Sequence, residues 1–133
     1  MKLTVRSEYA LLALVYLARQ PAGKRITVQR IAQAQGIPPK FLEQLLLAMK
    51  HAGYVRSSKG RGGGYCISKP AIKITLAEIV RLFDGALAPT ESVSRYFYGS
   101  TPIEREKSLL RVFKEIRDVV SAKLEKTTLA DVV

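Results

Sequence analysis

Apolar residues recur at three- and four-residue spacing along most of this 133-residue chain, and glycine and proline cut the pattern into separate helices. Residues 7–19 predict a first helix, with Ser7 as its cap and Ala10, Leu11, Leu14, Val15, Leu17 and Ala18 on a broad apolar face. Pro21-Ala22-Gly23 ends it. Thr27 precedes a short helix from Val28 to Gln35 with Ile31 and Ala32 facing inward, and Gly36 supplies the left-handed stop. Ile37-Pro38-Pro39 opens the next helix. Pro39 is tolerated in the first turn, where its missing N–H would be unpaired anyway. Pro38 offers no capping oxygen, a loss on the order of 1 kcal/mol. This helix runs to about His51, burying Phe41, Leu42, Leu45, Leu46 and Met49, and Gly53 stops it.

Helical spacing then gives way to two strand-like runs, Tyr54 to Ser58 and Tyr65 to Ser68, on either side of Lys59-Gly60-Arg61-Gly62-Gly63-Gly64. Two short helices joined by a tight turn and followed by a hairpin with a cationic, glycine-rich tip define a winged helix-turn-helix. The glycine run lacks the Lys-Ser/Thr ending of a nucleotide-binding loop and sits in a hairpin, not between a strand and a helix. Thr75 caps a further helix, Leu76 to Asp84, closed by Gly85. Residues 86–103 read as a loop with a short helical turn. From about Ile103 to Lys126 the spacing is strongly helical, with Leu109, Val112, Phe113, Ile116, Val119, Val120 and Leu124 in one stripe. Arg111 and Glu115, and Lys114 and Asp118, are spaced to pair along its outside. Thr128 is placed to cap a last turn, Leu129 to Val133. The fold class is mainly α with a small β-hairpin wing: a winged helix-turn-helix domain over 1–85, a loop at 86–104, and a dimerisation helix with a C-terminal tail over 105–133.

Charge divides the chain the same way. The first 73 residues carry thirteen Lys and Arg against Glu8 and Glu43, which is the whole formal charge of +11; the remaining 60 are neutral. Cations gathered on one half suit a polyanion, because each one that neutralises a phosphate releases condensed counterions. A hydrophobic content of 47% supports a folded core. The apolar stretch Tyr9–Ala18 is too short to span a bilayer and lacks a small-residue cleavage site, so a buried helix is expected and no membrane partner. The lone cysteine, Cys66, excludes an intrachain disulfide and fits a reducing cytosol. It has two readings, a redox-sensing thiol beside Lys59 and Arg61 or a small buried hydrophobe. With one His, one Cys and no paired carboxylates, nothing fits the roles of nucleophile and base, so no catalytic residue is assigned. The wide stripe of the last long helix fits packing against the same helix of a second chain, through Leu109, Val112, Phe113, Ile116 and Val120.

Several motifs together resemble the Rrf2 family of bacterial transcription regulators: Met1-Lys2-Leu3 with Tyr9-Ala10, Ile31-Ala32, Phe41-Leu42-Glu43-Gln44-Leu45, Ala52-Gly53-Tyr54-Val55, Lys59-Gly60, Gly62-Gly63-Gly64-Tyr65 and the tail Thr127-Thr128-Leu129-Ala130-Asp131. The resemblance implies a cytoplasmic homodimer that binds double-stranded, pseudo-palindromic DNA, with the helix around residues 39–50 in the major groove and Lys59 and Arg61 of the wing in the adjacent minor groove. Residue chemistry agrees. Gln44 can pair bidentately with adenine, Glu43 can accept from a cytosine amino group, and Lys40 can reach a base edge or a phosphate. Arg61 on a bare tip suits a narrow, electronegative minor groove. Arg6, Thr27 and Gln29 are placed for phosphates, which position without reading.

Many members of the family hold a two-iron, two-sulfur cluster on three cysteines, often with a histidine, in the loop between the last two long helices. Here that loop, residues 86–104, has neither Cys nor His. Cys66 lies on a wing strand and His51 at the end of the recognition helix. No cofactor and no metal ligand are therefore expected in the usual place. A cluster would need other ligands, such as the carboxylates Glu91 and Glu104. In this respect the chain resembles the branch of the family controlled through a partner enzyme. Tyr96-Phe97-Tyr98 in the loop has three readings: a small-molecule effector pocket, a dock for a regulatory protein, or a cover for the end of the dimer helix. The leading function is a sequence-specific regulator, a repressor of its targets. A regulator holding an iron–sulfur cluster through such non-standard ligands, a non-specific architectural DNA binder and a protein-interaction module are the alternatives.

Overall fold

Thr4, not Ser7, opens the first helix, α1 (Val5–Ala18), in the computed structural model, which describes residues 1–133. Thr4 has the extended backbone a cap needs, and its hydroxyl accepts from the Ser7 amide at 3.4 Å. Its own N–H and O–H both donate to the Asp84 carboxylate at the far end of the fourth helix, which pins the start of α1. Ser7 is thereby one turn inside the helix and buried, and its hydroxyl is the one buried side-chain polar atom without a partner.

The next two helices form as expected. α2 (Val28–Gln35) is capped by Thr27, whose hydroxyl accepts from the Arg30 amide at 3.2 Å, and α3 (Pro39–His51) starts on Pro38 with no side-chain cap. α1, α2 and α3 pack on one another around a cluster of seventeen buried residues that includes Leu14, Ile31, Leu42, Leu46 and Met49. Phe41 is only partly buried and meets Tyr9 edge-on at 5.6 Å.

The hairpin pairs β1 (Val55–Ser58) with β2 (Gly64–Ile67) antiparallel, Val55 opposite Ile67 and Ser58 opposite Gly64. Tyr54 and Ser68 fall just outside the ladder and close it with a hydrogen bond from the Ser68 amide to the Tyr54 carbonyl. Ile26 adds an isolated bridge on the other edge of β2, against Tyr65, exchanging both backbone hydrogen bonds at 2.9 and 2.7 Å. The wing is thus stitched to the segment that leads into α2.

α4 (Leu76–Asp84) carries a full capping box between Thr75 and Glu78. Residues 86–106 contain only two 3-10 turns, Glu91–Val93 and Pro102–Arg105. The second turn delays α5, which spans Lys107–Lys126 and not Ile103 onward, because Glu106 is extended between them. The pairs Arg111–Glu115 and Lys114–Asp118 do not form: Asp118 is taken by Arg117 at 2.7 Å and by Arg95 of the loop at 3.4 Å. Arg117 also donates to the Val93 carbonyl, so this corner of α5 holds the loop.

The tail returns to the first domain. Leu129 is buried in the main cluster, its amide donates to the Ile74 carbonyl, and the Leu76 amide donates to the Thr127 carbonyl. A 3-10 turn, Leu129–Val132, closes the chain with a Thr128–Asp131 capping box. α5 itself buries only Ser121. Leu109, Val112, Ile116 and Val119 are exposed, and Phe113 and Val120 are half-buried.

Candidate nucleic-acid interface

The residues of α3 that its core contacts do not use form one stripe. Lys40, Glu43, Gln44 and Leu47 recur at three and four along the helix and are all exposed, while Leu42, Leu45, Leu46 and Met49 are buried on the other side. Glu43 and Gln44 make no hydrogen bond within the chain and present full donor and acceptor sets outward. Leu47, 47% exposed, was not singled out from the sequence. Its signal was there: three consecutive leucines on a helix cannot all face one core, and Leu47 falls on the spacing of Lys40 and Gln44. An exposed leucine on this stripe matches the methyl group of thymine.

The wing is built to project. In the tip, the Gly63 amide donates to the Gly60 carbonyl at 2.9 Å, and Lys59 and Arg61 stand exposed with no acidic partner. Gly64 sits at φ +134, and a Cβ there would lie 2.5 Å from the Ile26 carbonyl carbon and 2.9 Å from the Thr27 nitrogen. Only glycine lets the base of the wing approach the cap of α2 this closely. Backbone contacts therefore fix the base of the wing against the start of α2, while the buried Leu42, Leu45, Leu46 and Met49 seat α3 and turn its polar stripe outward.

Around the start of α2 the surface is cationic beyond the residues first assigned. Thr27 and Gln29 are exposed there, with Lys24 and Arg30 beside them. Tyr16, Gln20, Lys24, Arg25, Thr27 and Arg30 line a shallow recess at this helix start that contains no acid. The Thr27 hydroxyl accepts from the Arg30 amide, and its O–H is left free to donate. Arg6 is placed differently from the other candidates: its guanidinium lies 5.3 Å from the Phe83 ring centroid, a cation–π contact at the α1–α4 junction.

Cys66 is buried, but under arginine and not under the tip. Arg25 Nη1 donates to its sulfur at 2.7 Å and Arg56 Nε at 3.3 Å, while Arg25 Nε donates to Ser58 Oγ at 2.8 Å. The expected neighbours Lys59 and Arg61 lie in the loop beyond. The reason is register: Arg56 and Cys66 are directly opposed, so they share one face of the hairpin. At the wing root, burial and then the Glu78 carboxylate raise the Tyr54 phenol above its ordinary value of 10.0. Lys69 lies 4.7 Å over the same ring.

The loop after α4 does not enclose an effector pocket. The space bounded by Arg81, Leu87, Tyr96, Phe97 and Arg117 is about 10 Å³, a single water at most. Tyr96 and Tyr98 are strongly exposed. Arg81 stacks on Tyr96 at 4.9 Å and pairs with Glu125 of α5, while Glu104 accepts from Tyr98 and from Ser100. Those two hydrogen bonds hold the Glu104 carboxyl below its usual range, and Tyr98 is raised by the same contact.

A two-strand wing after a tri-helical core, with an unpaired polar stripe on the third helix, defines a winged-helix DNA-binding protein. Comparison with known proteins agrees. The family model described as "Rrf2: Iron-dependent Transcriptional regulator" matches residues 3–133. Rv1287 of Mycobacterium tuberculosis, named as an HTH-type transcriptional regulator, is 36% identical over 133 residues, covering 99% of this chain and 81% of that protein. The HTH-type transcriptional regulator CymR of Bacillus subtilis is 30% identical over 131 residues, covering 98% and 88%. The solved structure of B. subtilis CymR, the global cysteine regulator, superposes with a TM-score of 0.80, covering 99% of this chain and 95% of that one; T. potens IscR gives 0.71 at 26% identity, covering 99% and 85%. The chain belongs to the Rrf2 family. It is a DNA-binding transcription regulator and not an enzyme. No helix is long and apolar enough to cross a membrane.

Iron is implied by the family's description, and the residues here do not fit it. No three His, Cys, Asp or Glu side chains converge anywhere in the chain. The sulfur of Cys66 is occupied by two guanidinium donors, Glu104 by Tyr98 and Ser100, and Glu91 is packed against Gly99. Iron–sulfur clusters need thiolate or imidazole ligands, and the loop that would present them has none.

Proposed function

We propose that the chain acts in the cytoplasm as a homodimer on pseudo-palindromic operators, chiefly as a repressor, with no iron–sulfur cluster in the 86–104 loop. The observation that carries the reading is the exposed stripe Lys40, Glu43, Gln44 and Leu47 beside a wing whose cations have no counterions. In this reading Gln44 and Glu43 read base edges in the major groove and Leu47 meets a thymine methyl. Lys59 and Arg61 enter the adjacent minor groove, and Lys40, Thr27 and Gln29 position the backbone, joined by Lys24 and Arg30. Arg6 contributes charge from its seat on Phe83.

Pairing through α5 follows from what the chain leaves uncovered. Leu109, Val112, Phe113, Ile116 and Val120 share one stripe of a helix that buries a single residue in its own chain. Two such helices packed together give the two-fold symmetry that a palindrome matches. Residues 1–85 then serve as the reading domain, 86–104 as the segment open to a regulatory protein, and 105–133 as the pairing element. Repression is the simplest consequence of occupying an operator.

The test is selection of a binding site from random duplexes, followed by titration on the selected and a scrambled duplex at fixed salt. A regulator gives a preference of roughly 10³-fold or more. A ratio near one would reassign the chain as an architectural binder.

A further inference from the structure

Between the turn that follows α1 and the base of the hairpin lies a cleft of about 420 Å³, within the size range of small-ligand sites. Its floor is apolar, formed by Leu17, Ala18, Ile67 and Ala71. Its walls carry Lys24, Arg56 and Lys69. No Asp or Glu lines it, and none of these three cations has a carboxylate partner in the chain. Lys69 rests on the Tyr54 ring and Arg56 on the Cys66 sulfur, both weak substitutes for an anion. Three unneutralised cations over an apolar floor match a molecule with one anionic end and an apolar body.

We propose that this cleft binds a small organic carboxylate, its anionic end on Arg56 and Lys69 and its apolar body on Leu17 and Ile67. A DNA phosphate would supply the same anionic oxygens but would leave the apolar floor wet, which favours the small ligand. The site stands apart from the reading stripe of α3, and the proposal rests on neither dimerisation nor operator choice. It also carries a consequence. Arg56 belongs to β1, and Arg25 links the α1–α2 turn to Ser58 and Cys66. A carboxylate that draws Arg56 off Cys66 acts at the base of the wing, where the direction of Arg61 is set.

Benzoate is the probe, with benzyl alcohol as its uncharged counterpart, followed by amide nitrogen–proton NMR on the full chain. Benzoate is expected to shift the amides of Ala18, Gly23, Lys24, Ile67 and Ser68 saturably, and benzyl alcohol to leave them in place. The double variant R56Q/K69Q is expected to weaken benzoate at least tenfold while the remaining amides superimpose on the parent. If that variant disturbs the spectrum as a whole, K69Q alone and the alcohol comparison decide. Equal shifts by benzyl alcohol, or benzoate shifts scattered over all surface cations without saturation, would overturn the proposal. So would movement of the cleft amides by a non-specific duplex and not by benzoate, which would make the cleft a phosphate contact.

Discussion

The two halves of this chain solve opposite problems with similar helices. Before residue 86, twenty of the 25 buried residues lie in one packed unit, and its first 73 residues carry a charge equal to the whole net +11. α5 is the longest helix, yet it buries one residue and leaves valine, leucine and isoleucine in water. The first half is finished as a fold and unfinished electrostatically, because its cations lack counterions. The second, with eight cations against seven acids, is nearly balanced in charge and unfinished in packing. Each half thus shows what it lacks, a polyanion for one and a second apolar surface for the other.

That contrast is broken most severely on α5. Ile116→Glu puts a charge in the middle of the exposed stripe, and sedimentation is expected to show a monomer with its helical content intact. Its affinity for a full operator is expected to fall by about 10²- to 10⁴-fold, the gain from coupling two weak sites. Leu129→Ala strikes the finished half instead. Leu129 is 1% exposed, and its loss is expected to cost about 2–5 kcal/mol in thermal or denaturant unfolding, without changing the apolar stripe. Gln44→Ala leaves folding untouched and relaxes one base position in each half-site, at roughly 1–3 kcal/mol on the best site, read by titration against single-base variants. Arg61→Ala weakens all sequences alike and lowers the salt dependence of binding by about one charge.

The smallest effect is on the loop between the halves. Asp118 is held below its ordinary 3.8, first by its hydrogen bond from Arg117 and further by Arg95; Glu104 is held below 4.5, first by Tyr98 and then by Ser100. Both carboxyls are exposed. A lowered folded value means the support is complete above the ordinary value and is lost as the pH falls through the lowered one. Amide spectra recorded from pH 6 down to about pH 3 are expected to show residues 95–104 changing before the wing and α3 do.

Local chemistry made most of the reading half legible. Thr27 and the Thr75–Glu78 box mark helix starts by hydrogen bonds to residues three ahead, Gly36 ends α2 in the left-handed conformation with its amide on the Ala32 carbonyl, and Pro39 fits a first turn that needs no N–H, so sequence spacing alone places them. Most of the misses involve partners far along the chain. Thr4 caps α1 because Asp84, eighty residues away, fixes it. Asp118 ignores Lys114 because its neighbour Arg117 takes the carboxylate at 2.7 Å and Arg95 arrives from the loop at 3.4 Å. Cys66 lies under Arg25, forty-one residues earlier, since Ile26 bridges to Tyr65 and brings Arg25 over the hairpin. On α3, the outward placement of Gln44 and Glu43 was legible because a polar residue on a helix with an apolar face must point outward. Leu47 escaped because its residue type suggests the core.

The most direct measurement compares a full palindromic duplex with a half-site duplex of the same length, titrated with the parent chain and with Ile116→Glu. The account predicts that the parent prefers the full site by about 10²-fold or more, and that the variant binds both duplexes alike. A parent chain that binds the half-site as tightly as the full site would contradict it, since one unpaired winged helix would then be the whole reading unit.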